Sequence, residues 1–191
     1  MEYGPPVDLS FNGLFTVTGN FSLLFSFKEL CCINDFVDPR PGLRPLRTDS
    51  HNKYRTRALR LNYNNIKDLS DLEFTLNHFL VEPSMLGWLD LSFNKMTGID
   101  DVLCQLNELR ILYLHGNNIR YLNEVNKLSK LTHLHNLTLH GNAIDKHKGY
   151  RNHVVSVLPH LKRLDFSAVT KQERVLAKDW STSHSRFYFI S

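Results

Sequence analysis

One pattern recurs four times in this chain and constrains everything else about it. It reads L-x-x-L-x-L-x-x-N-x-I/M, and each copy is anchored on one asparagine. The first copy holds Thr56, Leu59, Leu61, Asn64 and Ile66, with threonine in the leading place. The second holds Leu86, Leu89, Leu91, Asn94 and Met96, and the third Leu109, Leu112, Leu114, Asn117 and Ile119. The fourth holds Leu134, Leu137, Leu139, Asn142 and Ile144. Leu161, Leu164 and Phe166 read as a fifth strand, with Val169 in the asparagine's place. Within each copy the leucines alternate, so a short strand points them all to one side. No single copy buries that side alone, and stacking the copies is what makes a shared core.

The spacing therefore predicts an α/β fold of the leucine-rich-repeat solenoid type. A short parallel sheet lines the concave face, helices run along the convex face, and a C-terminal cap closes the stack. Each asparagine falls where the chain leaves its strand. There its amide reaches unpaired backbone groups of the neighbouring coil, so Asn64, Asn94, Asn117 and Asn142 read as a structural ladder. The asparagines are 30, 23 and 25 residues apart. Leu69, Leu72, Leu76, Phe79 and Leu80 predict a full helix over 70–81, stopped before Pro83. Ile99, Val102, Leu103 and Leu106 predict a second, and Leu122, Val125 and Leu128 a 3₁₀ or α turn.

After the fourth strand come Tyr150, Arg151, Val154, Leu158, Pro159, Leu161 and Leu164, a run resembling the cap of intracellular leucine-rich-repeat proteins. In that cap a helix covers the last coil's leucines. Thr170 and Glu173 form a T-x-x-E capping box that starts a final helix through about residue 180, sealed by Val175, Leu176 and Trp180. The chain divides into an N-terminal arm over 1–55, the repeats with their cap over 56–169, and a capping helix and tail over 170–191.

Within that class the motifs P-G-L-R-P-L (41–46), W-L-D-L-S-F-N (88–94), L-Y-L-H-G-N (112–117), E-V-N-K-L (124–128), L-T-L-H-G-N (137–142) and K-G-Y-R (148–151) are more specific. They resemble the leucine-rich repeat-containing protein fifty-one family. That family is the soluble product of a mammalian locus that also encodes a transmembrane O-methyltransferase. The resemblance covers roughly residues 40–180, and the run 14–27 and the tail 181–191 depart from it. Methyl transfer belongs to the other polypeptide. This chain has no glycine-rich fingerprint for a nucleotide or adenosyl cofactor, so no cofactor is expected.

Composition narrows the setting. Cys31, Cys32 and Cys104 make neither a disulfide framework nor a metal-ligand motif, which points to a reducing, cytoplasmic compartment. The apolar run 14–27 is shorter than a membrane span and lacks the positive flank of a signal peptide, so it is expected to pack on the open end of the stack. Net charge is +4, and its one local concentration is Arg40, Arg44, Arg47, Lys53, Arg55, Arg57 and Arg60 against Asp49. Pro39, Pro41 and Pro45 make that basic arm extended and suited to an acidic surface such as tubulin, or RNA; simple solubility is the plain alternative.

Outward positions of the strands form columns on the concave face. The first contains Ala58, Trp88, Ile111, Asn136 and Arg163, the second Arg60, Asp90, Tyr113, Thr138 and Asp165, the third Asn62, Ser92, His115, His140 and Ser167. Trp88, Asp90, Ile111, Tyr113, His115 and His140 are the expected partner-binding residues, because clustered exposed apolar groups compose binding hot spots. The alternative is that the N-terminal arm covers them. His115 and His140 lack a third ligand, so no metal is expected, and no acid is spaced to orient a histidine beside a nucleophile. The expected function is non-catalytic: a cytoplasmic adaptor for proteins, with the ciliary axoneme and its tubulin as the leading setting. A ribonucleoprotein or phosphatase assembly is the rival. No small-molecule substrate or membrane is expected, and direct RNA binding is disfavoured because only Tyr54 stands among the basic residues.

Overall fold

A computed structural model describes residues 7–8, 49–51 and 53–185. Their strands form one sheet in strict chain order: β1 (Val7–Asp8), β2 (Ala58–Arg60), β3 (Trp88–Asp90), β4 (Ile111–Tyr113), β5 (Asn136–Thr138), β6 (Arg163–Leu164) and β7 (Ser167–Ala168). All neighbours are parallel except β6 and β7, which form a hairpin. The register aligns Leu59, Leu89, Leu112, Leu137 and Leu164, all buried. Alternation places those leucines in one core with Leu61, Leu91, Leu114 and Leu139.

The 30-residue first interval is long enough for an α-helix, and it forms α1 (Leu72–Phe79), shorter at both ends than the 70–81 expected. At the start Asp68 accepts both the N–H (3.3 Å) and the hydroxyl (2.6 Å) of Ser70, which holds that residue in a turn. At the end Leu80 becomes extended and bridges Tyr54, whose carbonyl accepts the Val81 N–H at 3.1 Å. Shorter intervals have fewer residues to span the same return, and the tighter, longer-rising 3₁₀ form covers it. The convex face accordingly carries 3₁₀ segments at Asp101–Gln105, Leu122–Lys130 and Ala143–Lys146, with Asp100 capping the first by accepting the Val102 N–H.

The asparagines hold the coils together. Asn94 Nδ2 donates to the carbonyls of Leu61 (2.9 Å) and Leu91 (3.0 Å), and its Oδ1 accepts the Ile66 N–H at 3.1 Å. Asn117 repeats this with Leu91, Leu114 and Met96, and Asn142 with Leu114, Leu139 and Ile119. Asn64 donates to Leu61 at 2.9 Å. Each amide thus satisfies backbone groups that a turn would otherwise bury unpaired.

The stack ends differently from the expected fifth strand. Asp165 and Phe166 both adopt left-handed φ (50° and 63°), turning the chain back as β7. Asp165 Oδ1 accepts the N–H groups of Leu139 (2.7 Å) and His140 (2.9 Å), doing for β5 what the next strand's carbonyl would do. Phe166 is therefore not an inward strand residue; it is 63% exposed on the concave side. Tyr150, at the start of α2 (Tyr150–Val157), donates its hydroxyl to Asp165 Oδ2 at 2.8 Å. Its hydroxyl proton is held far more tightly than usual, chiefly by burial and then by the Asp165 charge.

Arg151 clamps the same end, bonding Leu164 O, Ser167 Oγ, Ala168 O and Glu173 Oε1. The Thr170–Glu173 capping box starts α3 (Lys171–Ser185), with Thr170 N–H to Glu173 Oε2 at 2.7 Å and Glu173 N–H to Thr170 Oγ1 at 3.2 Å. Leu158, buried, closes α2, and Pro159, exposed, offers its carbonyl to Arg174 at 2.6 Å. Val175 and Leu176 do not seal this helix: they are exposed, and Ala177 and Trp180 face inward instead, with Trp180 edge-on to His153 at 5.7 Å. At the opposite end Val7–Asp8 pairs with Leu59–Arg60, whereas the run 14–27 lies outside the described residues.

Candidate functional site

The parallel register brings the outward columns side by side: Ala58, Trp88, Ile111, Asn136 and Arg163 in one, Arg60, Asp90, Tyr113 and Thr138 in the next. Trp88 and Tyr113 meet edge to face at 5.9 Å, and the Arg60 guanidinium lies over the Trp88 ring at 5.4 Å. Ile111 stands half-buried beside them. Asp90 is corrected as a contact residue. It is only 6% exposed, its Oδ1 accepts the Ser92 N–H (3.0 Å) and hydroxyl (2.6 Å), and Oδ2 faces Arg60 at 3.9 Å. A carboxylate so occupied is engaged within the face and is not presented on its surface.

His115 and His140 stack face to face at 4.7 Å. His115 Nδ1 is 2.8 Å from Thr138 Oγ1, and His140 Nδ1 is 3.2 Å from Asp165 Oδ1. Burial, followed by the neighbouring His140, holds the His115 imidazole below its ordinary pKa and so favours its neutral form. Among the described residues no group of three or more His, Cys, Asp and Glu is placed to hold a metal ion.

Three aromatic residues extend this cluster that strand alternation does not reveal. Tyr63 and Phe93 precede the ladder asparagines, outside the strands, and they stack at 4.4 Å. Phe93 meets His115 edge-on at 5.0 Å, and Phe166 touches Tyr113 (5.6 Å), His115 (5.8 Å) and His140 (5.5 Å). The result is one continuous aromatic stripe from Tyr63 to Phe166. All three added residues have left-handed φ (56°, 53° and 63°) and exposed side chains. Bulky residues in that region cost about 1–2 kcal/mol each, so strain is concentrated on the surface that leaves most aromatic area in water. The pattern was accessible by aligning the coils, because Gly116 and Gly141 occupy the corresponding place, with φ 68° and 71°.

Of the basic arm, Arg55 is described and faces Glu82 at 3.8 Å, while Arg40, Arg44 and Arg47 lie outside the described residues. A cavity of about 320 Å³ lies behind the turns of the third and fourth coils. It is lined by backbone and side chains of Asn117, Arg120, Asn142, Asp145 and Lys146, and pairs no nucleophile with a base.

Stacked parallel strands, a buried asparagine ladder and an exposed aromatic face define a leucine-rich-repeat interaction module, and the family described as Leucine-rich repeat matches residues 57–186. Leucine-rich repeat-containing protein 51 of Macaca mulatta is 47% identical over 158 residues, 82% of this chain and 82% of that protein. The chain therefore belongs to the leucine-rich repeat-containing protein 51 family. It is also similar to U2 small nuclear ribonucleoprotein A' of Saccharomyces cerevisiae, 34% identical over 109 residues, 54% of this chain and 45% of that one. A chain in the crystal structure of the Drosophila melanogaster SNF/U2A' complex shares the fold. Its TM-score is 0.54 at 24% identity, covering 63% of this chain and 66% of that chain.

Proposed function

We propose that this chain is a non-catalytic cytoplasmic adaptor whose concave aromatic stripe captures a protein partner, and that its assembly is the ciliary axoneme. The observation that carries the capture is the stripe itself: Trp88, Tyr113, His115, Phe93 and Phe166 form one contiguous aromatic surface, partly on strained backbone. Aromatic clusters of this kind supply most of the energy of protein interfaces. The axonemal setting is supported by a basic N-terminal arm suited to an acidic lattice such as tubulin.

Trp88→Ala combined with Tyr113→Ala is expected to abolish partner recovery in pull-downs from ciliated cells while thermal unfolding stays within a few degrees of the parent. Undiminished recovery by the folded double variant sinks the concave-face reading. Detergent extraction of ciliated cells tests the setting separately: a tagged copy stays with the axoneme if the assignment holds and leaves with the soluble fraction if it does not. A second reading, a ribonucleoprotein subunit, is supported by the similarity to the yeast U2 small nuclear ribonucleoprotein A'. Co-purification with small nuclear RNA in place of axonemal retention would bring it forward.

A further inference from the structure

Hydrogen-bond donors are set into the aromatic stripe. Trp88 and Tyr113 are half-buried and meet at 85°, and among the described residues neither the Trp88 Nε1–H nor the Tyr113 hydroxyl has an acceptor. Asn136, paired with Ile111 in the register, is half-buried too, and its side-chain amide has no partner among those residues. Rings at right angles leave an open notch between them, whereas stacked rings use up the faces that meet. A second such notch lies between Phe93 and His115, at 84°. The face therefore offers notches for small flat groups, with donors standing in them.

Any occupant that covers this face takes water away from those donors and has to bring acceptors in its place. A donor buried without one costs roughly tenfold or more in affinity. An α-helix spends its main-chain carbonyls internally and would lay apolar side chains over the donors. A polyproline II segment makes no internal hydrogen bonds, so its carbonyls stay available, and proline brings a flat apolar ring with no N–H to satisfy. Its period also fits. Three residues rising about 3.1 Å each repeat every 9.3 Å or so, against about 9.6 Å for two coils at a strand spacing of about 4.8 Å.

Single-stranded nucleic acid calls for cations that follow its backbone between the stacking rings. The first two outward columns carry Arg60 and Arg163 at opposite ends, and between those ends they hold no lysine or arginine. The chain's own Pro39, Pro41 and Pro45 alternate with Arg40 and Arg44, which would set like charges against Arg60 and Arg163. We infer that the concave face takes a proline-rich segment of its partner in the polyproline II conformation, with Trp88 and Tyr113 donating to its carbonyls; this rests on the concave face being the capture surface.

The test titrates the full-length chain into a fluorescein-labelled peptide of nine prolines, read by anisotropy. Trp88→Phe and Tyr113→Phe each keep a ring and remove one donor, and each is expected to weaken binding about fivefold. Unchanged affinity in both overturns the proposal, because a ligand held by ring area alone does not sense the loss. Tighter binding of an amphipathic α-helical peptide, or of a single-stranded oligouridylate of similar length, overturns it as well. The unmodified chain gives an independent reading, since its two tryptophans give two indole N–H signals in proton–nitrogen NMR spectra. The Trp88 signal, identified by its loss in Trp88→Phe, is expected to move downfield as peptide is added while that of Trp180 stays; an unmoved Trp88 signal overturns the proposal. The underlying reading fails separately. Partner recovery that survives Trp88→Ala with Tyr113→Ala removes the concave site itself, whereas recovery lost in that variant without any binding of the proline peptide leaves the site standing and overturns the proline-rich occupant.

Discussion

The first two coils and the last two solve the same turn with opposite residues. Just before the ladder asparagine the backbone must adopt a left-handed φ, near 55° in Tyr63 and Phe93 and near 70° in Gly116 and Gly141. Glycine does this without steric cost, and the aromatic residues do not. The difference teaches where this molecule departs from its most stable form. Coils three and four follow backbone preference, whereas coils one and two sacrifice it to hold two stacked rings in water. Glycine on one side also makes room for aromatics on the other: a Cβ on Gly116 would come 2.6 Å from the Phe93 ring.

The largest expected effect tests what the two halves share. Asn94→Ala strands the Ile66 N–H at the junction of coils one and two and takes from the Leu61 and Leu91 carbonyls one of their two amide donors, leaving Asn64 and Asn117 on them, and should cost about 3 kcal/mol in denaturant unfolding. A loss below about 1 kcal/mol would show that water replaces the amide and that the ladder is not the common frame. Gly116→Ala comes next, because it imposes both the left-handed penalty and the clash with Phe93; about 2 kcal/mol is expected by the same measurement.

Phe93→Gly sharpens the comparison by giving coil two the glycine of coils three and four. Relief of about 1 kcal/mol of backbone strain offsets the lost stacking on Tyr63 and His115, so stability should move by less than about 1 kcal/mol. Partner recovery in a pull-down should fall nonetheless. Unchanged recovery would leave the strained aromatics without a binding role.

The smallest effect is confined to the capped end. Glu173, bonded first to Arg151 and then to the Thr170 N–H, has its carboxyl lowered from an ordinary value of 4.5 to about 2. A carboxyl depressed by folding contributes stability that is full above the ordinary value and is lost as pH falls toward the depressed one. Hydrogen exchange at the start of α3 should therefore quicken between about pH 4.5 and 2, with no matching change in β2. Uniform quickening across the stack would mean that Arg151 and Glu173 support the whole solenoid and not the cap alone.

Much of the candidate site was legible in the sequence. A period-two pattern decides which side chains share a face, and the repeat length decides which lie side by side, so Trp88, Ile111, Tyr113, His115 and His140 could be placed together. Tyr63, Phe93 and Phe166 escaped that logic because they sit in turns, where alternation no longer says where a ring points. Asp90 escaped it for another reason. It has an outward position, but Ser92 and Arg60 engage its carboxylate and it is buried.

By itself the sequence determined the number and order of the coils, the leucines of their core and the asparagines between them. Those depend on spacing along the chain, and every coil repeats the same local physics. The tertiary structure alone decided how the stack ends and what its surfaces present. Asp165 replaces a missing strand with its own carboxylate, and Phe166 turns out over the histidines. Both lie in the left-handed turn that ends the stack, where strand alternation no longer says which way a side chain points.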